Sequence, residues 1–223
     1  EMCEVTMVEY KVVETNEVID RNFVRKYVTC VETKPIDTNK VGITQVKFIN
    51  GNSYDVVEIA EGAFANNINL TRLSLPFVGQ NVDANRSESG VLGWLFSTSC
   101  LDEYSTYLVK TTQEYDEDLT RTSYIPKSLG YVNVYEAETI NYGAFDQCTM
   151  INYVELPQTT LKTIDNYAFR NTGISRVLLP SSLETVNLGA FMNNSKLRSV
   201  IFKDGIGVEY GSRGLQFKYT HKF

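Results

Sequence analysis

The chain has 223 residues, 43% of them hydrophobic and 22% charged, enough for one domain with a sizeable core. Lys and Arg number 21 against 27 Asp and Glu, for a net charge of −6 and a pI near 5.0, so no basic stripe is available to displace counterions from nucleic acid. No apolar run approaches the ~18 residues that a membrane-spanning helix needs.

Residues 1–41 do not repeat cleanly. Val5, Val8, Tyr10 and Val12 alternate, as do Val28 and Cys30, and both stretches predict strands. Val18 to Phe23 faintly echoes the repeat described below, so 17–33 reads as a degenerate first turn. We take 1–41 as a cap over an exposed core face, with a separate small domain as the alternative. Cys3 and Cys30 can bridge if two strands pair there. The chain starts at Glu1 and reads as trimmed, so the lack of a signal peptide says nothing of secretion. Ile43, Val46 and Phe48 have strand spacing again.

From residue 59 a unit recurs. An aliphatic residue (Ile59, Ile140, Ile164, Val186) is followed five positions later by the Phe of an Ala-Phe pair: Phe64, Phe145, Phe169, Phe191. Five or six residues on comes an aliphatic run: Leu70-Leu73-Leu75, Ile151-Val154-Leu156, Ile174-Val177-Leu179, Leu197-Val200-Phe202. The first three runs end at Pro76, Pro157 and Pro180, which lack the N–H that would continue a ladder. The last three Phe residues are spaced by 24 and then 22 positions, the period of a solenoid whose turns cannot be stable alone. Asn67, Cys148, Thr172 and Asn194, three residues after each Phe, are small residues suited to a tight bend. We read them as bend-fillers and not as ligands or nucleophiles.

One turn is disguised. Val91 to Phe96 keeps the step of five, and Leu129-Val132-Val134 keeps the strand spacing. Trp94, beside Phe96, reads as core or near-core. The interruption at about 102–123 is acidic, with Asp102, Glu103, Glu114, Asp116, Glu117 and Asp118 against Lys110 alone up to residue 118. We read it as a solvated, mobile loop. A calcium site is the sharper alternative, but 114–118 lacks the Asp-x-Asp-x-Asp-Gly frame. Asn81–Gly90 is polar and aperiodic, a second surface loop. At the other end, Val208 and Tyr210 oppose Leu215, Phe217 and Tyr219 across Gly211–Gly214, which predicts a hairpin cap over 203–223.

The segment Ile140–Leu156, INYGAFDQCTMINYVEL, resembles the leucine-rich repeat family in its BspA-like branch, whose turns run approximately Ile-Gly-x-x-Ala-Phe-x-x-Cys-x-x-Leu-x-x-Ile-x-Ile-Pro. The resemblance spans 43–202 and is strongest over 138–202. It implies a right-handed repeat solenoid over 42–202, with short parallel strands on the inner face and irregular or short helical segments outside. It also implies a secreted or cell-surface location, and the string Leu75–Gly79 with its polar insert fits the same branch.

Nothing in the chain predicts catalysis, a metal or a cofactor. His221, the only histidine, stands near the chain end. No metal-binding, phosphate-loop or dinucleotide motif occurs. Asn69, Asn85 and Asn193 head glycosylation sequons, two of them in solenoid bends. What the repeat supplies is a long sheet face. Between the buried positions lie Arg72, Ser74, Tyr131, Asn133, Tyr153, Glu155, Arg176 and Leu178, with Ser199 and Ile201 beyond. Tyr and Arg are enriched at interface hot spots, so this face predicts a protein-binding surface; ordinary stabilising cross-strand stacking explains it equally. The expectation is a monomeric, non-catalytic binding module for a protein ligand, such as a host matrix protein or glycoprotein, with an adhesin-like role. A structural spacer within a larger surface protein is the alternative, and an enzyme sited on the insertion is the third.

Overall fold

The computed structural model describes residues 52–202 continuously, with side chains from 56, and beyond them the backbone of the strands at 8–14, 26–33, 40–42, 46–49, 207–209 and 219–220. The chain opens with β1 (Val8–Glu14), β2 (Lys26–Thr33), β3 (Lys40–Gly42), β4 (Val46–Ile49) and β5 (Asn52–Ile59). Next come β6 (Arg72–Leu75), β7 (Leu108–Asp116), β8 (Leu119–Pro126), β9 (Tyr131–Val134), β10 (Thr139–Ile140) and β11 (Tyr153–Glu155). The remainder are β12 (Thr163–Ile164), β13 (Arg176–Leu179), β14 (Thr185–Val186), β15 (Ser199–Phe202), β16 (Gly207–Glu209) and β17 (Tyr219–Thr220).

The turns build two parallel ladders. The longer ladder runs β3-β6-β9-β11 and resumes as β13-β15. Between the two parts, the Ser175 N–H donates to the Asn152 carbonyl at 3.3 Å. The shorter ladder is β10-β12-β14. Leu73, Val132, Val154, Val177 and Val200 point inward from one ladder, Ile140, Ile164 and Val186 from the other, and all are buried. Among the described residues helix is confined to short 3-10 segments such as Leu92–Leu95.

The repeat phenylalanines fill the space between. Phe145 stacks on Phe169 at 5.2 Å and 7°, and Phe169 on Phe191 at 5.1 Å and 4°. The same steps are tied by main chain: the Phe145 N–H donates to Ala168 O at 2.8 Å and the Phe169 N–H to Ala190 O at 2.7 Å. Phe64 and Phe96 form their own pair at 6.4 Å, tilted by 47°. The bends behave alike. Asn66, Gln147, Asn171 and Asn193, two residues after each Phe, have φ of 62°, 60°, 55° and 58°, the left-handed conformation that Asn tolerates. Asn194, buried, holds its bend by donating to the Phe169 and Phe191 carbonyls and accepting from Thr172, all within 2.8–3.0 Å. Trp94 packs against the core and donates to Ile59 O at 2.9 Å.

The segment read as a mobile loop is a folded hairpin. After a 3-10 turn at Asp102–Tyr104, β7 and β8 pair antiparallel from Leu108↔Pro126 to Asp116↔Leu119. Its inward side is largely polar: Thr111, Gln113, Arg121 and Ser123 are buried. Alternation of apolar residues was the strand signal available in the sequence, and here polar residues fill the buried positions. The hairpin enters the core where the Phe column is divided. Gly93 N–H donates to Gln113 Oε1 at 2.7 Å, and Gln113 Nε2 donates to the Gly143 and Ala144 carbonyls at 3.2 and 2.9 Å. One buried amide thus bridges the Phe96 turn and the Phe145 turn beside their direct main-chain bond, Leu92 N–H to Ala144 O at 2.9 Å.

At the two ends the strands pair otherwise than their spacing predicts. Val46–Phe48 does not add a rung: β4 pairs antiparallel with β5, while β3 extends the long ladder. Asn50-Gly51, the dipeptide between β4 and β5, is the strongest two-residue hairpin signal. Around β5, β1 and β2 pair antiparallel and β2 and β5 parallel. Within 203–223, the described strands do not form a hairpin with each other. β16 runs antiparallel to β15, and β17 antiparallel to β14, so each covers a different ladder. Cys3, the side chain of Cys30 and His221 lie outside the described residues, and with them the expected bridge.

Candidate functional site

The long ladder places the candidate face. Because strand side chains alternate, burial of Leu73, Val132 and Val154 turns their neighbours outward. Parallel register then aligns them: Arg72↔Tyr131↔Tyr153 in one row and Ser74↔Asn133↔Glu155 in the next. The first row closes up. The Arg72 guanidinium carbon lies 3.9 Å from the Tyr131 ring centroid, and Tyr131 stacks on Tyr153 at 5.7 Å and 23°. The Tyr131 hydroxyl donates to Glu155 Oε2. Partial burial and the Glu155 carboxylate both push the Tyr131 pKa up, so its hydroxyl remains a donor at neutral pH. Arg176 and Leu178 stand on β13, in register with Ser199 and Ile201. Arg72, Tyr131, Tyr153 and Glu155 are therefore in direct contact; Ser74 and Asn133 share the register, and Arg176 and Leu178 continue the face on the next strand.

A second cluster lies where the hairpin and the 81–90 loop meet the bends, and sequence reasoning missed it. Arg170 binds Asp146 through two bonds of 2.8 and 2.6 Å and reaches Glu114 at 2.8 Å. Tyr142 donates to the other Glu114 oxygen at 2.6 Å. Arg86 pairs with Asp116 at 2.7 Å. Arg121, only 1% exposed, spans Glu61 and Glu88 at 2.6 and 2.8 Å and lies 5.1 Å from the Trp94 ring. The acidic excess of the insertion is thus partly consumed by arginines up to 56 residues away in sequence. That long-range pairing left no local signal.

Partial burial raises the Glu114 pKa, but the Tyr142 hydroxyl and the Arg170 guanidinium outweigh it and hold the carboxyl below its usual value. Burial and Glu114 push the Tyr142 pKa up. A carboxyl whose folded pKa is depressed adds stability above its unfolded pKa and loses it on acidification; a phenol whose pKa is raised adds stability below its unfolded pKa and loses it toward alkali. The network is at full strength between about pH 4.3 and pH 10. We expect Glu114→Gln to flatten the acid limb of a melting-temperature profile and Tyr142→Phe the alkaline limb. Unchanged limbs would show that the cluster does not couple to folding.

The cluster's ion pairs are mutually satisfied and serve structure. Among the described residues no group of His, Cys, Asp or Glu is placed to hold a metal. Cys148 is fully buried, its thiol pKa pushed well up by burial, which suits a bend-filler. A groove of about 400 Å3 between the 81–83 loop and residues 136–141 is lined by Asp83, Glu136, Glu138 and Asn141 among others. No described helix is long and apolar enough to cross a membrane.

Residues 124–212 match the BspA type leucine rich repeat region in six copies. No curated protein matches the sequence. A leucine-rich repeat protein from Bacteroides ovatus is similar at 17% identity and TM-score 0.47, over 90% of this chain and 41% of that one. The T. pallidum leucine rich repeat protein is similar at 17% identity and TM-score 0.43, over 90% and 71%. A leucine rich cell surface protein from Faecalibacterium prausnitzii shows 12% identity and TM-score 0.39, over 93% and 58%. This chain spans about two fifths of the Bacteroides protein's length. The stacked phenylalanine turns within residues 124–212 are thus similar to leucine-rich repeats of the BspA type.

Proposed function

We propose that this protein is a non-catalytic binding module that takes a protein ligand on the outward face of its long parallel ladder. The contact of Arg72, Tyr131 and Tyr153 in one row carries this reading, since it sets an aromatic and guanidinium patch on a rigid sheet. The leucine-rich repeat fold is generally a binding or scaffold fold, which agrees with a face free of catalytic groups. The finer reading is an extracellular or cell-surface module with an adhesin-like role, acting as a monomer on a host matrix protein or glycoprotein. It rests on the BspA type of the repeats. Ser74, Asn133, Glu155, Arg176 and Leu178 would form the polar and apolar surround. A spacer within a larger surface protein is the second reading.

The test is a panel of purified matrix proteins and glycans probed with the wild type and with Tyr131→Ala/Tyr153→Ala/Arg176→Ala. Binding lost in the triple variant, at a melting temperature within a few degrees of wild type, is the expected result. Binding that survives puts the site elsewhere, and silence across the whole panel favours the spacer.

A further inference from the structure

Five of the six arginines of the described region divide by location; the sixth, Arg198, donates to the Ser195 and Leu197 carbonyls just before β15. Arg86, Arg121 and Arg170, all around the insertion, are each paired with carboxylates at 2.6–2.8 Å. On the ladder face, Arg72 and Arg176 are exposed and have no carboxylate within ion-pair distance among the described residues. Glu155, the one acid among the outward positions of β6, β9, β11 and β13, accepts the Tyr131 hydroxyl. In a chain of net charge −6, this face therefore shows two uncompensated guanidinium groups flanking a tyrosine pair.

The tyrosines also discriminate between ligand classes. A sugar stacks on an open aromatic face. Tyr131 has Arg72 on its ring on one side and Tyr153 as its stacked partner, so both partners already occupy the ring. On Tyr131 the ring edge remains, which suits a polypeptide better than a sugar, while Tyr153 has one face in the stack.

Spacing gives the register. β6, β9, β11 and β13 are successive rungs, so Arg72 and Arg176 stand three rungs apart, about 14 Å at roughly 4.8 Å per strand. An extended chain crossing the rungs advances about 3.3–3.4 Å per residue, so about four residues cover the gap. Even spacing also turns both side chains to one side of an extended segment. We propose that the ladder face binds an extended acidic segment of a protein partner, with two carboxylates four residues apart received by Arg72 and Arg176 across the Tyr131–Tyr153 pair. This rests on the ladder face being the binding surface.

The test uses twelve-residue Ser/Thr-rich peptides bearing two Glu at i and i+4, two Glu at i and i+5, or two Gln at i and i+4, titrated by fluorescence anisotropy. The i,i+4 Glu peptide is expected to bind at least about fivefold tighter than either other peptide and to weaken with added salt. R72Q and R176Q should each remove about fivefold, and K110Q on the hairpin should change nothing. Equal binding of Glu and Gln peptides, abolished by Tyr131→Ala/Tyr153→Ala, would overturn the acidic partner and leave the face as the site. An absence of peptide binding would also overturn it, and the protein panel described above would then decide separately whether the face binds anything. A sulfated oligosaccharide that binds through Arg72 and Arg176 when the Glu peptide does not would replace the protein partner with a glycan.

Discussion

Phe169→Ala is expected to lower stability by about 3–5 kcal/mol, the usual cost of emptying a buried aromatic site. Phe169 is fully buried and is the middle ring of the three-ring stack, 5.2 Å from Phe145 and 5.1 Å from Phe191. Its truncation leaves two rings without a partner at once. The cavity cannot readily collapse, because main-chain bonds on both sides of Phe169 fix the distance between turns. Against a typical total of about 5–15 kcal/mol, this is a large fraction. For a domain of this size it corresponds to a fall in melting temperature of roughly 10 °C. Leu188→Ala, at a residue 54% exposed, is the control and should move the transition little. A Phe169→Ala transition that matches the control would mean that the ring column does not hold the turns together.

Gly143→Ala should have the next largest effect, and Gly62→Ala should isolate its cause. Both glycines stand two residues before a repeat Phe, with φ of +58° and +67°. A side chain at either position meets the left-handed penalty of about 1–2 kcal/mol. Surroundings separate them. A Cβ on Gly62 meets nothing nearer than Ala65 at 3.8 Å, whereas a Cβ on Gly143 falls 1.6 Å from the Glu114 carbonyl oxygen. That carbonyl belongs to β7, so the hairpin has to leave its seat. Overpacking of this kind adds about 1–3 kcal/mol. The Arg170–Glu114 and Tyr142–Glu114 bonds should open with it, and limited proteolysis near 117–119 should accelerate in Gly143→Ala alone. Equal behaviour of the two variants would show that the hairpin is not seated against the turn.

The core was legible in the chain because it is periodic. Five Phe positions, the aliphatic runs and the terminating prolines each recur, and a recurrent signal survives local noise. Tyr131, Tyr153 and Arg72 were likewise placed on one face by strand alternation alone, although their mutual contact needed the register of β6, β9 and β11. The hairpin was hidden for the opposite reason. Its buried side holds Thr111, Gln113, Arg121 and Ser123, which in sequence look like solvent-facing residues. Their partners, Glu61, Gly93 and Gly143, come from three different turns. At β4, an Asn-Gly pair outweighed a run with the right rung spacing, because a two-residue hairpin closes a far shorter loop than a full turn.

The Gln113 carboxamide has the same donor and acceptor as a peptide unit, carried at the end of a flexible stem. Where the backbone of one turn departs to build a nineteen-residue guest, β7 to β8, that group acts as a splint across the gap. Arg121 and Glu114 fasten the same excursion at further points, so its base is fixed, and length can vary only at the tip around Glu117–Asp118, which makes that tip a natural place to graft new recognition.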